Sequence, residues 1–280
     1  MMKKRKRMPL KNFIKRNGRM LVGGTIIAVL IIMALFAPMI ATHDPDAYDY
    51  TNRFALPSAE HFLGTDTHGR DIFSRMVYGT RISLLLGFGV NFLAVFAGAI
   101  CGILCGYFKK VDAILMRVME GLHSLPTTLL AMVVASVLGP GIEKLMIALV
   151  VTALPGVCRM TRSQVLSLRQ KEFIEVEKAM GASHLRIMLL HIMPSCSHYL
   201  IIRFCTGISG TILSAATLAY LSVGLDPTIP NWGAIIADGQ GMFLIYPHMI
   251  LWPGVWMIIA VFGFIFFGEG LRERLDPRLK

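Results

Sequence analysis

Residues able to do chemistry are sparse in this chain of 280 residues, and their spacing carries no catalytic pattern. There is no Gly-Lys-Ser or Gly-Lys-Thr triplet to cradle nucleotide phosphates and no His-Glu-x-x-His pattern, nor any spacing that suits a zinc cluster. The five cysteines are an odd number without paired spacing. Cys101 and Cys105, one helical turn apart, would share a face and can be drawn as metal ligands. Two thiols in an apolar stretch read better as packing residues. His123 has Glu120 as its nearest acid, and Arg117 with Glu120, three residues apart, reads as a helix-end pair rather than a proton relay. A membrane-embedded enzyme would need a constellation that is missing here. Glu172, Glu175 and Glu177 form a dense cluster of acids in a segment that is otherwise basic.

The elements that must hold these residues are set by composition. Hydrophobic residues make up 55% and charged residues 16%, against roughly 25% charge in an ordinary soluble domain, and the mean hydropathy is +0.61. Six spans of about 20 residues account for the apolar excess, so the chain reads as an all-α, polytopic membrane protein. Apolar runs long enough to cross lie near Met20 to Ala41, Leu84 to Phe108, Val118 to Leu138, Ile142 to Val157, Tyr199 to Val223 and Met249 to Phe267. The first reads as a retained helix rather than a removable signal. The formal charge of +11 falls mostly in short segments between these runs, unlike the single basic face of a nucleic-acid binder.

The placement of that charge gives an orientation. Of the 28 Lys and Arg, 23 fall on one side: the tail 1–19 (Lys3, Lys4, Arg5, Lys6, Arg7, Lys11, Lys15, Arg16 and Arg19), the segments between the second and third and the fourth and fifth spans, Arg203, and the carboxyl tail 269–280. Arg53, Arg70, Arg75, Arg81 and Lys144 fall on the other. The positive-inside rule then predicts both termini in the cytoplasm, with the basic tail an anchor to lipid headgroups.

Two loops are long. The external loop 42–82 is rich in Asp, Pro and Gly, and its length suits a partner surface or a lid. The cytoplasmic loop 159–198 contains two helical patterns flanking Gly181. Phe173, Val176 and Met180 form one apolar stripe; Leu185, Met188, Leu189 and Ile192 form the other. Gly181 suits a left-handed turn position, Ser183 a cap, and Pro194 a stop before the fifth span. Glutamates at the start of the first helix agree with its dipole. A lipid-surface helix pair would carry Lys and Arg instead, so a protein partner fits better.

The segment from Glu175 to Pro194 resembles the EAA loop of ABC importer permeases: Glu175, Gly181 and Pro194 stand at the family's spacing, with nine residues from Ala182 to Leu190. Val176 and Glu177 replace two alanines, and His191 and Met193 replace aliphatics. LGTDTHGRDIFSR (Leu63 to Arg75), VGLDPTIPNWGAIIADG (Val223 to Gly239) and GEGLRERLDPRLK (Gly268 to Lys280) resemble the dipeptide, oligopeptide and nickel branch, as does LPGVCRMTRSQVLSLRQKEF (Leu154 to Phe173) apart from Leu154 and Val157. The resemblance implies six membrane helices in the type I importer (MetI-like) fold, with the first wrapping a partner permease and a core over 83–268. It implies a second homologous permease, two ATPase subunits that bind ATP and Mg, an external solute-binding protein, and a bacterial cytoplasmic membrane. It makes the chain a non-catalytic subunit without a cofactor of its own. Its ATPase-coupling loop would comprise Glu172, Phe173, Glu175, Val176, Glu177, Gly181, Ala182 and Pro194. The implied cargo is di- or oligopeptides, with nickel or a metal chelate as the alternative.

An ion-coupled secondary transporter is the competing class. It would place ionisable groups near the bilayer midplane, whereas Arg117, Glu120 and Arg203 are expected near cytoplasmic ends. Gly98, Gly102 and Gly106 recur every four residues and read as close packing between helices; Gly207, Gly210 and Ser214 read the same way. Pro126 and Pro155 either kink spans or free carbonyls toward a path. On the outer side, Asp226, Trp232 and Asp238 are candidates for binding-protein docking, with a membrane-belt role the other reading of Trp232. Arg70 and Asp71 read as an ion pair or cap at the start of the second span.

Overall fold

The computed structural model describes residues 10–226 and 228–275, with side chains from Asn17 onward. The basic residues Lys3 to Arg7 and the terminal Arg278 and Lys280 lie outside the described residues, as do the side chains of Lys11, Lys15 and Arg16. Among the described residues the fold is all helical, with one isolated bridge, Thr65 to Asp71. The chain runs through α1 (Leu10–Leu35), α2 (Ala37–Ile40), α3 (Ile72–Tyr107), α4 (Lys109–His123), α5 (Thr127–Leu138), α6 (Ile142–Arg169), α7 (Glu172–Ala179) and α8 (His184–Arg186). A π-helical turn, Ile187–Ile192, leads into α9 (Met193–Tyr220), followed by α10 (Trp232–Gly239) and α11 (His248–Leu275).

Five of these stretches are long and apolar enough to cross a membrane, and six if α4 and α5, bent by 94° at their break, count as one broken span rather than a re-entrant loop. The third span is therefore not the straight helix expected from Val118 to Leu138. Pro126 disfavours helical backbone at Leu125, and the Ser124 hydroxyl donates to the Gly121 carbonyl at 2.7 Å, closing α4.

Helices outrun the apolar runs elsewhere too. At 36 residues, α3 is about 54 Å long, and its first turns take up the end of the expected external loop. The expected loop 159–198 shrinks to residues 170–183, because α6 continues to Arg169 and the next helix begins at His184. Pro194 does not stop that helix. The Met193 amide reaches back to Met188, five residues away, and this wider π turn accommodates the missing N–H and the ring of the proline that follows.

The centre of the bundle is α3 against α6 and α9, with α11 beside α9 and α1 outermost on α11. A Cβ on Gly98, Gly102 or Gly106 would come within 2.5–2.6 Å of the Cβ of Val157, Thr161 or Val165. The four-residue glycine stripe is thus the seam on which α3 meets α6, as its spacing predicts. Gly102→Val is expected to overpack this seam at a cost of about 1–3 kcal/mol, seen as a lower apparent Tm of the purified complex. Gly210→Ala, whose added Cβ would meet nothing within 4 Å, is expected to leave it unchanged.

Between α1 and α11 the same device recurs, with Gly23 against Gly263 and Phe267, while Val22, Val29, Ile32, Leu35 and Phe36 remain exposed on α1. Arg81 ties the end of α1 down, its guanidinium donating to the carbonyls of Ala34 and Leu35 at 2.5 and 3.2 Å. At the other end Arg19 meets Glu273 at 3.0 Å.

Candidate functional site

Helix direction sorts the polar residues to two ends of the bundle, and a third group lies between them. At one end α7 and α8 form the hairpin. Gly181 has φ +82°, and no atom would lie within 4 Å of a Cβ there. The requirement is thus conformational rather than one of space. The Ala182 amide donates to the Glu177 carbonyl and the Gly181 amide to that of Lys178, both at 3.0 Å, the pairing that ends a helix in a left-handed residue. Ser183 caps the next helix, accepting from the Arg186 amide at 3.3 Å.

The apolar stripes are divided differently from the expectation. Ile174, Ile187 and Ile192 are fully buried with Val165, Ile103 and Tyr107, and Ala182 packs against them. Phe173, Val176 and Met180, the expected apolar stripe of α7, are 42%, 54% and 69% exposed, and Leu185 and Leu189 of the second stripe are exposed too. The hairpin is held to the bundle by one face and offers another apolar face outward, with Glu172 and Glu175 in the first turn of α7. Pro194 is exposed at the base. Two further contacts fix the hairpin: the Tyr107 hydroxyl meets His184 Nδ1 at 2.8 Å, and Arg169 donates to the carbonyls of Gly106 and Tyr107 at 3.1 and 3.0 Å. Glu177 and His191, two departures from the EAA pattern, meet each other at 3.4 Å.

At the opposite end the stretch from Leu63 to Arg75 is a clasp. Asp66 is 1% exposed. Its Oδ2 accepts from Arg70 Nε at 2.7 Å, and its Oδ1 from the amides of His68 and Arg70 at 2.8 and 3.0 Å. Asp238 on α10 closes the network on Arg70 at 2.7 Å and Arg75 at 3.5 Å. Asp71 caps α3, accepting from the Ser74 amide at 2.8 Å, as its position predicts. The fold also gathers His43, His61 and Asp71, a cluster hidden by the wide spacing. Asp71 is already occupied by the Ser74 amide and by His61 Nδ1 at 2.9 Å, so the group fastens the outer loop to α3.

The three residues expected to face a binding protein separate here. Trp232 is fully buried, which removes it from the surface and from any membrane belt. Asp238 is turned inward to the two arginines. Asp226 is exposed in its own turn, where hydrogen bonds from Thr228 hold its carboxyl below the usual carboxylate range.

Between the ends, α3, α4, α5, α6 and α9 line an open chamber of about 260 Å³ whose walls include Asn91, His123, Thr152, Arg203, Gly210 and Ser214. Gly207 packs against Asn91 as expected, whereas Gly210 and Ser214 face this space. α6 passes through Pro155 unbroken, and its neighbours Thr152, Ala153 and Gly156 form a wall. The guanidinium of Arg203, on α9, approaches Gly156 on α6. Arg117 and Glu120 are exposed on α4 and form no ion pair with each other among the described residues. Cys101 and Cys105 pack with Cys158, Met119 and Leu115, a packing role for the thiols.

This architecture has relatives. Residues 94–280 match the family described as "Binding-protein-dependent transport system inner membrane component", and residues 13–57 match the N-terminal transmembrane domain of oligopeptide transport permease C. The dipeptide transport system permease protein DppC of Alkalihalophilus pseudofirmus is 37% identical over 95% of this chain and 88% of its own length. The glutathione transport system permease protein GsiD of Escherichia coli is 36% identical over 98% and 92%. Among solved structures, a chain of the MetNI methionine ABC transporter in an inward-facing conformation superposes with a TM-score of 0.61 at 19% identity, covering 73% of this chain and 98% of that one; that likeness concerns the fold. The all-helical topology of five to six spans, the hairpin at the family's spacing and these matches agree, and the chain belongs to the binding-protein-dependent ABC importer permeases, in their dipeptide and oligopeptide branch.

Proposed function

We propose that this chain is one of two permease subunits of an ATP-driven importer, forming with its homologue the membrane pathway for di- or oligopeptides delivered by an external solute-binding protein. Hydrolysis is the work of two ATPase subunits, which bind ATP and Mg. The chain lies in a bacterial cytoplasmic membrane with both termini and the α7–α8 hairpin in the cytoplasm, the orientation favoured by its basic residues. Cargo follows from the names of the relatives, which are peptide and glutathione permeases.

The observation that carries the reading is the division of the hairpin. Ile174, Ile187 and Ile192 fix it rigidly to α3 and α6, while Phe173, Val176 and Met180 stay exposed at its tip. An apolar tip rimmed by Glu172 and Glu175 suits a groove on an ATPase subunit. The helices leaving it, α6 and α9, are walls of the chamber. ATP-driven closure of the ATPase pair would move the hairpin as a body, and α6 and α9 would rock with it.

Phe173→Glu alters the exposed tip and leaves the buried anchors alone. Stability is expected to change by no more than about 0.5 kcal/mol, while ATP-dependent uptake in proteoliposomes falls at least about tenfold, the loss of a docking anchor worth 1–2 kcal/mol. Uptake at the normal rate with assembled Phe173→Glu complex would refute the docking role. Uptake that persists without ATP and follows an ion gradient would establish a secondary transporter instead. A nickel chelate retained by the cognate binding protein would reassign the cargo.

A further inference from the structure

We propose that Arg203 is a binding site for a carboxylate group of the cargo, on a wall shared by two cavities of the bundle. The inference rests on the reading of this chain as a wall of the peptide pathway. Arg203 and Thr206 line both the chamber of about 260 Å³ and a second cavity of about 500 Å³ toward the hairpin end, which also includes His198, Tyr199 and Glu269. Cargo passing from one space to the other meets this guanidinium.

Arg203 also has room to act. Its two terminal nitrogens lie 3.7 and 3.8 Å from where a Cβ on Gly156 and on Gly207 would stand, so the absence of two side chains clears the space around it. Among the described residues its guanidinium makes no ion pair or hydrogen bond. The other arginines of the interior are all engaged: Arg70 and Arg75 with Asp66 and Asp238, Arg162 with Asp112, Arg169 with carbonyls of α3. A half-buried cation without a partner on a membrane-spanning helix is costly, and such residues pair with something or mark a pathway.

The surroundings select the sign of the ligand. The chamber walls carry Asn91, His123, Thr127, Thr152, Thr206, Thr211 and Ser214, and no Asp or Glu. A planar guanidinium surrounded by hydroxyls suits bidentate capture of a carboxylate, the one group that every unmodified peptide carries at its end. A bare divalent cation would be repelled. The chamber is slightly smaller than the roughly 300 Å³ at which ligand pockets begin, so it takes a terminus rather than a whole oligopeptide. α9 is also continuous through the π turn with the hairpin, so the motion of the hairpin would carry the guanidinium and could release its ligand.

The test has two readouts in the assembled complex. A cysteine placed at Ser214, with the native cysteines replaced, is treated with sulfonate-bearing and trimethylammonium-bearing methanethiosulfonates. The anionic reagent should be favoured, and Arg203→Gln should lower the ratio of rates at least about tenfold, as expected for a focused local field. Arg203→Lys should largely restore it. In uptake, Arg203→Gln should raise the KM for a free-acid peptide about tenfold, the worth of one charged hydrogen bond, and leave that of its amidated counterpart unchanged. An unchanged reagent ratio overturns the proposal. So does an equal loss of both peptides without rescue by lysine, which would mark Arg203 as an ion-pair partner of the second permease. If the wild-type complex moves no peptide while the reagent ratio still depends on Arg203, the cargo assignment fails and the anion site stands.

Discussion

Trp232→Ala is expected to destabilise the permease by about 3–5 kcal/mol, the range for truncating a buried aromatic. At roughly 2–4 °C per kcal/mol for a chain of this size, the apparent Tm of the purified complex should fall by about 6–20 °C. The reason is the position of α10. Its first residue is wholly buried among Leu84, Ile208, Ile212 and Phe264, and the indole Nε1 donates to the Met76 carbonyl at 3.2 Å. The helix is wedged so closely that a Cβ on Gly233 would stand 2.2 Å from the Ala216 carbonyl. Asn231 caps it, accepting from the Ala234 amide at 2.9 Å. Trp232→Phe keeps most of the volume and loses the donor, so it should cost nearer 1 kcal/mol. Unfolding of such complexes is commonly irreversible, so the comparison belongs at one scan rate. A docking contact behaves in the opposite way: Trp232→Ala would leave the Tm alone and abolish stimulation of the ATPase by loaded binding protein. That pattern would show that α10 swings outward in another state.

Trp232 also marks the limit of what the sequence could disclose. Apolar length reveals which segments cross, because the bilayer demands about 20 such residues whatever they pack against, and the four-residue period of Gly98, Gly102 and Gly106 reveals a close seam because nothing else needs three missing side chains on one face. A single Trp in a polar, Pro-Asn-Trp-Gly turn has no such period. Whether it faces out or in depends on α3 and α9, which are distant in the chain. The apolar stripe of α7 was legible, but which way it faces was not, for a related reason. A helix of eight residues has too few turns to distinguish the face that packs from the face that docks, and Ile174, the residue that settles it, stands outside the Phe173, Val176 and Met180 stripe. Gly181 and Ser183 were readable because their roles are local, one a left-handed backbone and the other a cap three residues from its donor.

The same contrast holds along α9. Arg203 stands near the start of the run Tyr199 to Val223 that hydropathy draws. The helix instead continues through it to His184, which leaves the guanidinium facing Gly156. His123 and the serine and threonine hydroxyls of the chamber come from four different helices, and no spacing in the chain relates them. The Glu177 and His191 departures, which look like two independent losses of pattern, are one contact across the hairpin.

Asp66→Ala should be the most damaging substitution in the outer clasp, at about 3–5 kcal/mol, because it strands buried charge instead of removing it. The carboxylate is shared by two backbone amides and the Arg70 guanidinium, with Arg75 Nη1 at 3.7 Å. Arg75 is fully buried, and its Nε and Nη1 already lack hydrogen-bond partners. Without Asp66 that guanidinium retains only Asp238 at 3.5 Å, and Arg70 loses one of its two carboxylate partners at 2.7 Å. Asp66→Asn keeps an acceptor for the amides while removing the charge, so it should fall between wild type and alanine. A double-mutant cycle with Arg75→Met isolates the electrostatic part: if stranded charge is the cause, Asp66→Ala should cost at least about 1 kcal/mol less in the Arg75→Met background. Equal costs in the two backgrounds would place the damage in the turn from Asp66 to Asp71 alone. The measurement is the apparent Tm of assembled complex, and a smaller loss in the double mutant is the expected result.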